Sequence, residues 1–156
     1  MCWMCDHPDA SDEDVLDEVR MRIGAHGWAI QYIESDRAPY AYTVGLHAFG
    51  LPELLVTGLD PQRAGWLLNR LARQARVQGM HEAGAQLRLP SGTKVEFVDI
   101  PHPHAHLNVA IAIGGPTIRA RQVVWADDRG RWPWGPGFDG GCVAQPVLGP
   151  RELKAS

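Results

Sequence analysis

Between Asp60 and Gly79 the chain carries a pattern that an amphipathic helix satisfies and little else does. Asp60 is an N-cap residue type, and Pro61 suits the first helical position, where no amide hydrogen is needed. Ala64, Leu68, Leu71 and Ala75 recur at helical spacing, and Gly79 supplies the stop. A helix with one apolar stripe has to lay that stripe on another element. The cover is written on both sides of it. Trp28–Glu34, Tyr40–Leu46 and Glu53–Thr57 are rich in strand formers and separated by turn residues. After the helix, Leu87–Leu89 and Thr93–Val98 flank Pro90-Ser91-Gly92 as a hairpin, and Arg119–Trp125 reads as a further strand.

Ser11 and Asp14 form a capping box for an earlier helix, with Val15, Val19 and Ile23 on its buried side and Gly24 or Gly27 ending it. The stretch Ala105 to Ile113 fits a strand or a short helix. Asp127-Asp128-Arg129-Gly130 is a turn, and from Arg131 onward the chain is an irregular Trp/Gly/Pro-rich tail held down by aromatic rings. These patterns predict one compact α+β domain over residues 1–156, with a mostly antiparallel sheet and two main helices. Residues 11–150 would form the core, and residues 1–10 a metal-binding segment.

Composition narrows the class. A chain of 156 residues that is 45% hydrophobic and 21% charged can bury a core without staples, which excludes a disordered protein. No apolar run approaches the roughly 20 residues that span a bilayer. The sequence starts without a basic and then apolar export signal, and its three cysteines are an odd number for a disulfide scaffold. We therefore expect a cytoplasmic protein, away from membranes.

Two of those cysteines, Cys2 and Cys5, sit three residues apart, with His7 close behind. A C-x-x-C pair can direct two thiolates at one tetrahedral ion, but it is half of a closed site. His102, His104 and His106 are candidates for the remainder, because on an extended segment alternate side chains share a face. Cys142 is another. Zinc is the expected ion and iron the alternative. Redox use of the pair would want a strand before it and a helix after it, which position 2 does not offer.

At about 100° per residue, Arg63, Trp66, Arg70 and Arg73 share the outward face of the long helix, which carries no acid after Asp60. Such a face suits phosphates, stacked bases or an acidic partner surface. The blander reading pairs these arginines with the acidic first helix and packs Trp66 under a loop. A net charge of −3 argues against a nucleic-acid domain. Asp127 and Asp128 could bind a hard cation or act as acid and base, yet Asp-Asp-Arg-Gly equally suits a turn in which the carboxylates bond local amides. Thr43, His47 and Glu53 could line a pocket beside the sheet.

The pieces His26-Gly-Trp28, Pro39-Tyr-Ala-Tyr-Thr-Val-Gly-Leu46, Pro52-Glu-Leu-Leu-Val-Thr-Gly58 and the run from Gln122 to Trp134 follow Cys2-Trp-Met-Cys5 along the chain. In this order they resemble a bacterial family known as domain of unknown function 4262. Similar sequences often carry a histidine before the Pro-Glu pair, where this chain has Leu51. The resemblance implies a compact α+β domain and brings no activity.

No nucleophile elbow, phosphate loop or dinucleotide fingerprint is present, so catalytic residues are not assigned and no organic cofactor is expected. The expected function is a zinc-binding structural or regulatory module acting through protein or ribonucleoprotein contacts. One alternative is a metal-dependent hydrolase or oxidoreductase with an open Cys/His site, using Asp127 or Glu53 as base. Another is a ribosome- or RNA-associated factor responsive to zinc.

Overall fold

In the computed structural model, which describes residues 11–36, 38–141 and 143–151, Ser11 caps helix α1 (Asp12–His26). The Ser11 hydroxyl accepts from the Asp14 amide while the Asp14 carboxylate accepts from the Ser11 amide, the reciprocal box the sequence predicts. Helix α2 (Pro61–Gln78) starts as predicted, with the Asp60 carboxylate accepting from the Arg63 amide at 2.8 Å. Its buried stripe is wider than expected, since Leu67 and Ala72 join Ala64, Leu68, Leu71 and Ala75. Each leucine buried there contributes about 1.5–3 kcal/mol.

Six strands form one sheet: β1 (Ala29–Ile33), β2 (Tyr40–Val44), β3 (Glu53–Thr57), β4 (Gln86–Arg88), β5 (Lys94–Asp99) and β6 (Ala120–Trp125). Their order is β1-β2-β3-β6-β5-β4. Neighbours are antiparallel except β3 and β6, which run parallel with Glu53 opposite Ala120 and Leu55 opposite Gln122. The chain leaves β3, forms α2 and the β4–β5 hairpin, and returns beside β3. Ala105–Ile113, open between strand and helix in the sequence, supplies a third helix, α3 (Asn108–Gly114).

Both faces of the sheet are covered. Ala41, Leu54, Val56, Val95, Phe97 and Val123 pack with the stripe of α2. Tyr42, Val44 and Leu55 pack on the other side with Val19 of α1 and Ala110 of α3. Alternation along β2 and β3 therefore feeds two cores, which is why these strands read as almost continuous apolar runs. The Tyr42 hydroxyl accepts from the Val109 amide at 3.1 Å, pinning α3 to the sheet, and burial pushes this phenol up to about 12.

The 102–106 segment corrects an expectation. Pro103–Ala105 is a turn of 3-10 helix leading into α3, not extended backbone. Proline's fixed φ suits a first helical position as well as a strand, and the His106 and Leu107 amides both close back onto the Pro103 carbonyl. Tyr40 anchors the turn by donating its hydroxyl to the His106 carbonyl at 2.9 Å.

The tail is tied down by buried amides as well as by rings. Gln145 accepts from the Trp125 amide and donates to the Trp125 carbonyl, both at 2.9 Å, imitating a neighbouring strand with one side chain. Gln122 donates to the Pro146 carbonyl and accepts from the Leu148 amide, each at 2.7 Å. Trp132 and Trp134 stack on each other with centroids 5.2 Å apart, and the Arg151 guanidinium lies 3.8 Å from the Trp134 ring while pairing with buried Glu96. That pairing raises Arg151 above the ordinary arginine value.

Candidate functional site

The parallel pair β3–β6 has two ends of opposite character. At the amino-terminal end sits Glu53, fully buried. Its carboxylate accepts five hydrogen bonds. Thr43 Oγ1 and the Leu46 amide donate to Oε1 at 2.9 and 3.0 Å. The Gly45 and His47 amides donate to Oε2 at 2.9 and 3.3 Å, and His47 Nδ1 lies 2.9 Å from the same oxygen. The Thr43 hydroxyl in turn accepts from the Leu54 amide at 2.8 Å. Gly45 takes φ +121, and a side chain there would meet Gly27 O and the Trp28 Cα at 3.1 and 3.2 Å, so only glycine lets the turn reach the carboxylate.

Thr43, His47 and Glu53 are thus brought together as the sequence suggests, but as a tie between β2, the following turn and β3. A carboxylate with five donors has no lone pair left aimed at a substrate proton. The role of Glu53 as a metalloenzyme base is not supported by this geometry.

The same holds for Asp127, one residue beyond Ala126 at the opposite end. Burial acts to raise its carboxyl. Donation from the Arg131, Asp139 and Arg129 amides and from Arg131 Nε outweighs burial and holds it down to about 2. The turn reading of Asp-Asp-Arg-Gly is the correct one, because this carboxylate is occupied by its own loop and too weakly basic to take a proton near neutral pH. Asp128 is exposed beside it.

Around Asp127 the carboxyl ends of β3 and β6 open into a hollow of about 430 Å³. Gly58 and Trp125 come from the strand ends, Arg63 and Trp66 from the first turns of α2, and Asp128 and Asp139 from the loops. Gly58, at φ +81, faces the Ala144 carbonyl so closely that a Cβ would lie 2.7 Å from it. Sequence reasoning found Arg63, Trp66 and Asp128 separately and missed the hollow and Asp139. Nothing in the order of residues announces that a long crossover returns β6 beside β3.

On α2 the predicted face is present. Trp66 is 48% exposed, with the Arg70 guanidinium 5.7 Å from its ring centre. Among the described residues, Arg63, Arg70 and Arg73 form no ion pair. The reading that paired them with the first helix is corrected here. Glu13 and Asp17 pair with Arg20, and Glu18 with Arg22, all within α1, which packs on the other face of the sheet. Arg76, by contrast, is capped by rings, 4.0 Å from Phe49 and 5.9 Å from Trp28.

Of the predicted metal ligands, Cys2, Cys5 and His7 lie outside the described residues, as does Cys142. His102 and His104 stand edge to face with ring centroids 5.7 Å apart. His106 turns its ring edge-on to Tyr40 at 6.4 Å and is lowered from the ordinary histidine value by burial first and by its two histidine neighbours second. Among the described residues, no group of three or more His, Cys, Asp or Glu side chains is placed to hold a metal. Nor is any helix among them long and apolar enough to cross a membrane.

Comparison with known proteins adds one finding. No curated protein and no solved structure matches this chain. A family model described as "Domain of unknown function (DUF4262)" matches residues 22–139, from the second half of α1 to the loop carrying Asp139. That span includes the Glu53 tie, the arginine face and the lining of the hollow apart from Val143, and it begins after Cys2-Trp-Met-Cys5. Covering well over half of the sequence, the match shows that the chain belongs to the domain-of-unknown-function family DUF4262.

Proposed function

We propose that this protein is a structural or regulatory module that docks an acidic protein surface on the outward face of α2. One observation carries the reading: Arg63, Arg70 and Arg73 flank an exposed Trp66 and have no carboxylate partner among the described residues. Unpaired guanidinium groups beside an indole recognise carboxylates by bidentate bonding and give an apolar anchor in the same footprint. A protein partner fits better than RNA, because the net charge is −3 and Asp128 and Asp139 border the same end of the helix. The test is fluorescence anisotropy of the full chain with an oligoglutamate peptide and with oligouridylate. Salt-sensitive binding of the peptide, abolished by Arg70→Glu/Arg73→Glu, is expected. Tighter binding of the oligonucleotide would sink the protein reading and leave the ribonucleoprotein one.

The proposal includes zinc at the amino terminus, held by Cys2 and Cys5 with histidine completing the set, and iron as the alternative ion. The adjacent imidazoles of His102 and His104 favour this reading. Two histidines on one tetrahedral zinc put their ring centres about 5 Å apart, given Zn–N distances of about 2.0–2.1 Å, and the observed separation is 5.7 Å. Such a closed set would tie residues 1–10 to the α3 side of the sheet and supply free energy for ordering them. Elemental analysis of the untagged protein beside Cys2→Ser/Cys5→Ser and His102→Ala/His104→Ala variants checks it. One equivalent of zinc, lost in both variants, is the expected result. Equal and negligible metal in all three proteins removes it, and an exchangeable metal-bound water would shift the balance toward the metalloenzyme alternative.

A further inference from the structure

The hollow at the carboxyl ends of β3 and β6 is bordered by charges without partners among the described residues. Arg63 lines it from α2, and Asp128 and Asp139 line it from the loops, yet none of these side chains forms an ion pair or a side-chain hydrogen bond among the described residues. Cation and anions therefore border one space without meeting across it. Asp127, the fourth charged group there, is already saturated by amides and Arg131. Buried Leu59, Leu67, Leu89 and Trp125 give the hollow an apolar floor, with the exposed Trp66 and the polar Gln62, Ser91 and Thr93 also lining it.

Asp139 is also held under strain. It is the one described non-glycine residue with positive φ, at +47, and its amide donates to Asp127 at 2.7 Å. Aspartate tolerates this conformation better than most residues, but it is adopted at a cost that the surrounding structure must sustain. The volume of about 430 Å³ lies within the range of small-molecule sites. Its position, outside the carboxyl ends of adjacent parallel strands and beside the start of a helix, is where open α/β sheets leave a crevice.

We propose that this hollow is a binding site for a zwitterionic amino acid with an aromatic or other large apolar side chain. The carboxylate of the ligand would pair with Arg63 and its ammonium with Asp128 and Asp139, while the side chain lies on the leucine floor against Trp66. A zwitterion satisfies separated opposite charges that neither a simple anion nor a simple cation can satisfy together. This site goes beyond the docking face: it shares Arg63 and Trp66 with it but rests on Asp128, Asp139 and the floor, which that face does not use.

Isothermal titration of the full chain with L-tryptophan, tryptamine and indole-3-propionate tests the assignment. L-Tryptophan binds saturably, and removing either of its charges weakens binding about tenfold for each lost charge-assisted contact. Asp128→Asn weakens L-tryptophan and tryptamine, whereas Arg63→Gln weakens L-tryptophan and indole-3-propionate. Both side chains are exposed, so the variants retain the fold. Arg73→Glu, on the docking face but neither lining the hollow nor stacked on Trp66, leaves L-tryptophan binding unchanged, which separates this site from the docking face. Absence of saturable L-tryptophan binding, tryptamine binding as tightly as L-tryptophan, or indifference to both substitutions overturns the proposal.

Discussion

The two ends of the parallel pair β3–β6 each bury a carboxylate, and they use it differently. At the amino end Glu53 is enclosed by Thr43, three consecutive amides and the His47 ring, and His47 packs against Gly114 at the end of α3. At the carboxyl end Asp127 is enclosed in the same manner, but around it the side chains of Arg63, Asp128 and Asp139 have no partner among the described residues and border an open hollow. A buried charged group is therefore a poor guide to function by itself. Where every lone pair already has a donor, the group builds the fold. Where charges stand at the rim of an apolar space with none, recognition becomes available.

Removing the amino-end tie should have the largest effect on stability. Glu53→Ala leaves three backbone amides, a threonine hydroxyl and an imidazole facing a void. A loss of about 3–5 kcal/mol is expected, as for breaking a buried charged network, read by urea unfolding. A loss below about 1 kcal/mol would show that water replaces the carboxylate and that this end is not sealed.

Gly114→Ala probes the same end by volume. The added Cβ would lie 2.7 Å from Ile118 Cγ2 and 2.9 Å from the His47 ring. Overpacking of this kind costs about 1–3 kcal/mol, so the melting temperature should fall while the variant at Gly65, where a Cβ meets nothing within 4 Å, leaves it unchanged or raised. Equal behaviour of the two alanine variants would break the picture of a packed end.

The carboxyl end has a pH signature. Asp127 titrates near 2 in the folded protein against an ordinary value of 3.8. Because the folded value is depressed, its contribution is complete above about pH 4 and is lost as the pH falls toward about 2. Urea unfolding across that window should show stability decreasing with acidity, and Asp127→Asn should flatten that part of the curve. A slope unaffected by Asp127→Asn would mean that the amides do not favour the ionised form.

The smallest effect on stability is expected on the docking face. Arg70→Glu/Arg73→Glu touches no ion pair among the described residues and should change unfolding free energy by less than about 0.5 kcal/mol, while reversing the charge offered to a partner. Marked destabilisation would show that these arginines belong to the fold after all.

Local features were legible because they depend on neighbours in sequence. The Ser11–Asp14 box, the Asp60-Pro61 helix start and the Asp127 turn each satisfy backbone groups within a few residues. Less legible were features that require distant partners. Proline-spaced His102, His104 and His106 read as extended, whereas tethering to Tyr40 and continuation into α3 draw them into a turn. The arginines of α2 could be read as partners of the acidic first helix, whereas Glu13, Asp17 and Glu18 pair within α1, which packs mainly on the other face of the sheet.

From its own order of residues, this chain determined the two long helices and the strands outside the 102–114 segment, which face of α2 is buried, and that Arg63, Trp66, Arg70 and Arg73 look outward. These follow from periodicity and capping, which are properties of a few consecutive residues. Only the tertiary structure decided that β6 returns parallel to β3, that Glu53 and Asp127 are saturated, and that Arg63, Asp128 and Asp139 share one hollow. Those facts arise from chain crossover and long-range burial, where each side chain takes whatever donor, acceptor or open space the fold brings to it.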